Sequence, residues 1–388
     1  MRFVINAAFA IGLTLFSGQA FCRQNVEALV DGRIDQNVSN ISLANFDVEQ
    51  NGATSIATFE YTHLGSNKPS RYLRLVIDEL TLGDGDKLII EGTNLSSSGF
   101  VNGQTLVGPL VLKKPLTTDL IYGDWMRISM NTTQIKLNRL NIKHFVYQDD
   151  AADPQLSIYD VDDRINFTDV GNLRLQEAGR AVIFISFLDG ESARVCSGFL
   201  INSNAIMTNE HCVNSSVKCD TANIVFDYLY TSGVVTMGEQ RHCSEVITSD
   251  HTLDYAILKL DRSVPQIAPI AFLKTDVPVG VPTFLIQHPG GEHKQVAEAG
   301  CQIIDPEEPG LDPQQLSDIT HRCDTIGGSS GSPIVTLASD GQHFCVAALH
   351  HLGFDDEGAF VTRNRAVRTS RITKQLRDKA ITFTNCVQ

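Results

Sequence analysis

The run Cys323-Asp324-Thr325-Ile326-Gly327-Gly328-Ser329-Ser330-Gly331-Ser332-Pro333 constrains this chain more than any other stretch. It sets one hydroxyl in a loop whose glycines leave backbone N–H groups free to hold an oxyanion. A serine is a poor nucleophile until a base removes its proton, so such a loop requires a histidine and a carboxylate elsewhere. Two islands upstream supply them: Ala205-Ile206-Met207-Thr208-Asn209-Glu210-His211-Cys212 and Asp254-Tyr255-Ala256-Ile257-Leu258-Lys259-Leu260. Singly, Ser330 reads as a turn serine, His211 as a satisfied core histidine and Asp254 as a strand-edge carboxylate. The order His, Asp, Ser within one stretch makes them a set. An esterase-type nucleophile elbow needs glycine two residues after its serine and the order Ser, Asp, His; here Ser332 occupies that position and the order is reversed.

On these motifs the second half resembles a trypsin-like, chymotrypsin-fold serine protease. Thr208-Asn209-Glu210-His211, Gln287-His288-Pro289-Gly290-Gly291 and Gly328-Ser329-Ser330-Gly331-Ser332-Pro333 resemble the bacterial glutamyl and lysyl endopeptidase branch. The resemblance covers roughly 172 to 385 and implies Ser330 as nucleophile, His211 as general base and Asp254 as its orienting carboxylate. It also implies an oxyanion hole from the Gly328 and Ser330 N–H groups and a disulfide between Cys196 and Cys212. In animal trypsins the residue before the nucleophile is an aspartate that pairs with a released N-terminal ammonium, whereas this chain has Ser329. A zymogen restraint by the N-terminal half would therefore act sterically or through folding.

The primary specificity pocket draws two opposed expectations from the same resemblance. Asp324 falls where trypsins keep the carboxylate that receives Arg or Lys, since a buried unpaired charge is costly. Thr325 and His350 fall where glutamyl endopeptidases keep a hydroxyl and a histidine for an acidic side chain, and His351 beside them reads equally as structural. The balance favours cleavage after Lys or Arg, with a Glu/Asp-specific enzyme as the alternative. The alternative from another class is an idle protease homologue that only binds.

With 388 residues, the chain is long enough for two or three domains. The N-terminus reads as a signal peptide over 1–20: Arg2, an apolar stretch from Phe3 to Phe16, then small residues suited to cleavage after Ala20. Eight of nine cysteines lie in the second half: Cys196, Cys212, Cys219, Cys243, Cys301, Cys323, Cys345 and Cys386. They can pair completely and fit an oxidising compartment, leaving Cys22 over. The expected location is secreted or periplasmic. A zinc site from His211, Cys212, Cys219, His242 and Cys243 is disfavoured in such a chain, and neither metal nor cofactor is expected. With 31 basic and 45 acidic residues, the net charge of −14 argues against nucleic acid. No stretch after the signal is long and apolar enough to span a membrane. The expected partners are protein or peptide substrates.

From 23 to 147, short apolar runs such as Tyr72–Ile77 and Lys87–Ile90 alternate with turn signals such as Gly83-Asp84-Gly85-Asp86. That pattern predicts an antiparallel β-sandwich. Two stretches, Gly85–Gly92 and Gly123–Ile128, resemble jelly-roll or CUB-type accessory domains. Residues 148–171 are acidic and read as a linker, with Arg164 and, beyond it, Arg180 as candidate cut points. The protease domain is expected over 172–388, ending in a helix over 363–379. The fold expectation is thus all-β, with two chymotrypsin-like barrels preceded by a sandwich.

Overall fold

The computed structural model describes residues 28–63, 71–94, 101–148, 156–354 and 363–386. The expected signal, Cys22 and part of the expected linker lie outside the described residues. Everything described is mostly β, in line with the all-β expectation.

The first half packs two antiparallel sheets face to face. One carries Leu29–Ser42, Arg139–Gln148 and Tyr72–Leu82, with short strands at the edge of the last. The other runs Asp47–Asn51, Thr54–Thr62, Trp125–Thr132, Lys87–Asn94 and Val101–Val107. In Trp125–Thr132, Met126, Ile128 and Met130 point inward while Arg127 faces solvent, the period-2 signature of a half-buried strand. These residues meet Leu75, Ile77, Leu88, Ile90 and Ile142 in one apolar core. The turn at Gly83–Asp86 crosses between the sheets. Asp86 anchors it by accepting from Thr132 Oγ1 and Asn138 Nδ2, each at 2.8 Å.

Six strands of the second half close into a barrel: Val182–Asp189, Ser192–Asn202, Ala205–Thr208, Tyr255–Leu260, Gln240–Asp250 and Asn223–Val225. A second sheet of eight strands runs from Ile165–Asn166 through Phe284–Gln287 and Phe344–Leu352 to Ile303–Glu308. A bridge between Pro282 and Gln302 joins the segments that lead into Phe284–Gln287 and Ile303–Glu308. Disulfides join Cys196–Cys212, Cys219–Cys243, Cys301–Cys323 and Cys345–Cys386. The sulfurs named for a zinc site are therefore not thiolates.

Three features differ from the sequence expectations. The sandwich is not held off by a linker: Leu29–Ser42 pairs on one edge with Arg139–Gln148 and on the other with Ser192–Asn202, giving one continuous sheet of twelve strands. Polar contacts reinforce the seam. The buried Arg74 guanidinium donates to Ser186 O, Thr221 O and Asn223 Oδ1, and Gln240 pairs with both backbone groups of Leu120. Next, the described part of the acidic stretch is built in: Leu156–Ser157 pairs with Thr325–Ile326, and Ile165–Asn166 with Gln295–Ala297. Acidic composition marked solvated side chains there but said nothing of backbone hydrogen bonds. Finally, the terminal helix spans only Thr369–Asp378, because Asn364–Arg368 is a strand paired between Asp318–His321 and Phe344–Leu352.

Candidate active site

His211 lies just beyond the end of Ala205–Thr208, and Asp254 immediately precedes Tyr255–Leu260, the strand paired with it. Their closeness follows from that pairing. Asp254 sits in the left-handed region at φ 44°, a conformation that aspartate tolerates better than most residues, and its carbonyl accepts from Asn209 Nδ2 at 2.7 Å. The carboxylate accepts from the His211 backbone N–H at 3.0 Å and from His211 Nδ1 at 2.7 Å. Burial raises the Asp254 pKa, but the neighbouring His211 and His351 outweigh it and leave the group well below the usual carboxylate range. An ionised carboxylate only accepts, so Nδ1 carries a proton, and in the neutral ring this leaves Nε2 as the nitrogen with the lone pair. That Nε2 is buried and has no hydrogen-bond partner among the described residues.

A second histidine shares the carboxylate. His351 Nδ1 lies 3.3 Å from Asp254 Oδ2, and its Nε2 lies 2.9 Å from Asp318 Oδ2. Burial alone would lower its pKa; the two carboxylates and their hydrogen bonds instead lift it to about 9. With both nitrogens donating, His351 is an imidazolium that braces Asp254 from behind.

The serine loop is stitched down from two sides. Ser197, next to the Cys196–Cys212 disulfide, donates its N–H to Ser330 O at 2.8 Å and its Oγ to Gly328 O at 3.0 Å. From the other side, Gly331 N–H donates to His350 O at 2.9 Å. Gly331 has φ 88°, and a Cβ there would come within 2.1 Å of Ser197 O, so only glycine fits. Gly328 has φ 91°. Among the described residues, neither the Gly328 nor the Ser330 N–H is committed to an acceptor, whereas Ser329 N–H is bonded to Ile326 O.

Ser329 Oγ donates to Gln287 Oε1 at 2.5 Å and accepts from Ile326 N–H at 3.2 Å, while Gln287 Nε2 donates to Asp324 O at 2.8 Å. A buried amide thus holds the residue before Ser330, and the local bonding needs no ammonium. Gln287 stood out in the sequence only as part of a motif, and its partner lies 42 positions away.

The three pocket residues are placed differently from one another. Asp324 is buried, and its two oxygens accept backbone N–H groups of Tyr159 at 2.8 Å and Asp163 at 3.4 Å. Burial raises its pKa against those two bonds. Thr325 is buried with its Oγ1 unpartnered among the described residues. His350 Nδ1 lies 3.1 Å from His321 Nε2, and burial, with further contributions from His321, His351 and His211, holds it well below the usual imidazole range. Between Thr325 and Gly353 runs Ser157: its Oγ donates to Phe354 O at 2.7 Å, and a Cβ on Gly353 would come within 2.3 Å of it.

Residues 196–344, within this part of the chain, match the family model of the trypsin-like peptidase domain. Among curated proteins, the chain is 26% identical over 190 residues to secreted RxLR effector protein 73 of Plasmopara viticola, covering 45% of this chain and 46% of that protein. It is 25% identical over 202 residues to the uncharacterized protein y4fB of Sinorhizobium fredii, covering 48% and 30%. The chain thus spans less than half the length of either relative. Among solved structures, the active form of the Rv3671c protease from M. tuberculosis is 21% identical with a TM-score of 0.41, covering 61% of this chain and 97% of that one. The scabies mite inactivated protease paralogue S-I1 is 15% identical with a TM-score of 0.41, covering 53% and 95%.

Proposed function

We propose that the protein is a secreted serine endopeptidase acting on protein or peptide substrates through an acyl-enzyme. The observation that carries the reading is the 2.7 Å contact between His211 Nδ1 and Asp254, beside a glycine loop with two uncommitted N–H groups. Ser330 Oγ attacks the scissile carbonyl as its proton passes to His211 Nε2. The Gly328 and Ser330 N–H groups receive the tetrahedral oxyanion, each such donor supplying about 3–4 kcal/mol at the transition state. His211 then protonates the leaving amine, and Asp254 stabilises the imidazolium throughout. A water activated by the same histidine releases the acyl group. Four disulfides and the N-terminal sequence support export.

For the residue before the cleaved bond, the geometry of Asp324 and Thr325 supports an acidic preference over the basic one. The Asp324 carboxylate is already engaged by two backbone N–H groups, which removes the argument for a free anion awaiting Lys or Arg. The unpartnered Thr325 hydroxyl is a donor that an incoming carboxylate would use. Peptides differing only at that residue should be cleaved fastest with Glu; faster turnover of Lys or Arg peptides would restore the basic preference.

The activity itself is tested by a fluorophosphonate. It should add one covalent label to Ser330, and Ser330→Ala should abolish the labelling. A correctly folded protein that takes no label would instead be an idle homologue that binds without cutting.

A further inference from the structure

The loop Gly327–Ser330 packs against the turn His288–Gly291, and that turn is gripped by the sandwich. Gly290 N–H donates to Gly327 O at 2.7 Å. A Cβ on Gly328 would come within 3.0 to 3.2 Å of His288 O, Gly290 N and Gly291 N, so the two segments touch with no room for a side chain. On the far side of the turn, Arg71 NH2 donates to Gly290 O at 3.2 Å and to Asp31 Oδ1 at 3.4 Å. Arg71 NH1 lies 3.5 Å from Glu292 Oε1.

Asp31 is fully buried, at the seam of the twelve-stranded sheet. Its carboxylate also accepts from Tyr72 Oη at 2.6 Å and Gln148 Nε2 at 3.3 Å, and it presses so closely on Gly291 that a Cβ there would lie 2.7 Å from Oδ2. Leu29, two residues earlier, packs on Gly327 itself: a Cβ on that glycine would come within 3.0 Å of Leu29 Cδ1. A buried charge of this kind is expensive unless its partners are fixed, and here those partners bear directly on the backbone that shapes the oxyanion loop.

We propose that Arg71 and Asp31 of the sandwich are positioning residues for the Gly327–Ser330 loop, so that the first half is a working part of the site rather than a removable pro-segment. The inference rests on the serine-endopeptidase reading for its kinetic consequence, though not for its structural one.

The full chain carrying Arg71→Ala, and separately Asp31→Asn, is compared with the parent and with Arg71→Lys by two measurements. The first is the rate of fluorophosphonate labelling alongside the final labelled fraction. The variants should label on the order of 10- to 100-fold more slowly with an unchanged final fraction, and Arg71→Lys should recover most of the rate. The second is amide hydrogen exchange of the peptide spanning 323–331, which should speed up in both variants. A lowered final fraction with an unchanged rate would mean that Arg71 only supports folding, and would overturn the proposal. Unchanged rate and unchanged exchange would overturn it too. A parent protein that takes no label would sink the endopeptidase reading, while the exchange measurement would still decide whether the sandwich holds the loop.

Discussion

His211→Ala is expected to lower kcat on a peptide amide by on the order of a million-fold, about 8 kcal/mol of barrier, with KM little changed. The loss is that large because, among the described residues, neither neighbouring histidine can replace the ring. His351 is nearer to Asp254 than any other histidine except His211, but both its nitrogens donate to carboxylates and it stays charged up to about pH 9. His350 is neutral, yet its Nδ1 is engaged with His321. Because base and nucleophile act as one unit, adding Ser330→Ala to His211→Ala should cost almost nothing more. Steady-state kinetics of the single and double variants provide the check. A loss under about a hundredfold for the single variant would mean that another group accepts the Ser330 proton.

Asp254→Asn is expected to lower kcat by on the order of 10⁴-fold while the fold survives. Asparagine tolerates the left-handed conformation at this position, so the backbone has no reason to move. The chemistry changes sharply. Asp254 accepts from the His211 N–H, the His211 ring and the His351 ring, and an amide can accept at only one of its two ends. Both rings bond Oδ2 and the backbone N–H bonds Oδ1: an NH2 end turned to the rings favours the His211 tautomer with the proton on Nε2 and removes the base, while one turned to the backbone opposes two donors. The same mismatch leaves a buried polar group unsatisfied, at a cost of about 1–3 kcal/mol of stability. Kinetics beside a thermal melt separate the two effects. A loss of less than tenfold would show that the carboxylate does not set the tautomer.

The sequence made some of this geometry legible and hid the rest, for reasons that follow from where each determinant lies. His211, Asp254 and Ser330 drew attention in the sequence because each sits in a short run whose composition is dictated locally: a strand end, a strand start, and a loop with glycines at left-handed positions. The β-sandwich was legible for the same reason, through alternation along strands such as Trp125–Thr132. Asp318 behind His351 carries no local signal, and the motif that holds Gln287 gives no hint of its bond to Ser329; each acts on a residue more than 30 positions away. The acidic stretch misled because charge density reports the solvation of side chains, whereas Leu156–Ser157 and Ile165–Asn166 are held by backbone pairing that no composition reveals. In the same way, the terminal segment carried helical spacing through Val367, but two neighbouring strands claim that residue first.

The strand Leu29–Ser42, shared between sandwich and barrel, also sets an order of events. During synthesis the sandwich can be complete once Gln148 has emerged, before any strand of the first barrel exists. Leu29–Arg33 then stands as an edge free to pair, and the next long hairpin to leave the ribosome brings Ser192–Val195 to it, with an irregularity between Val30 and Gly32. The first half thereby serves as a template on which the barrel is assembled. A chain begun at the barrel would have to fold without that template and would carry the bare edge into solution, where an unpaired strand invites another chain to fill it.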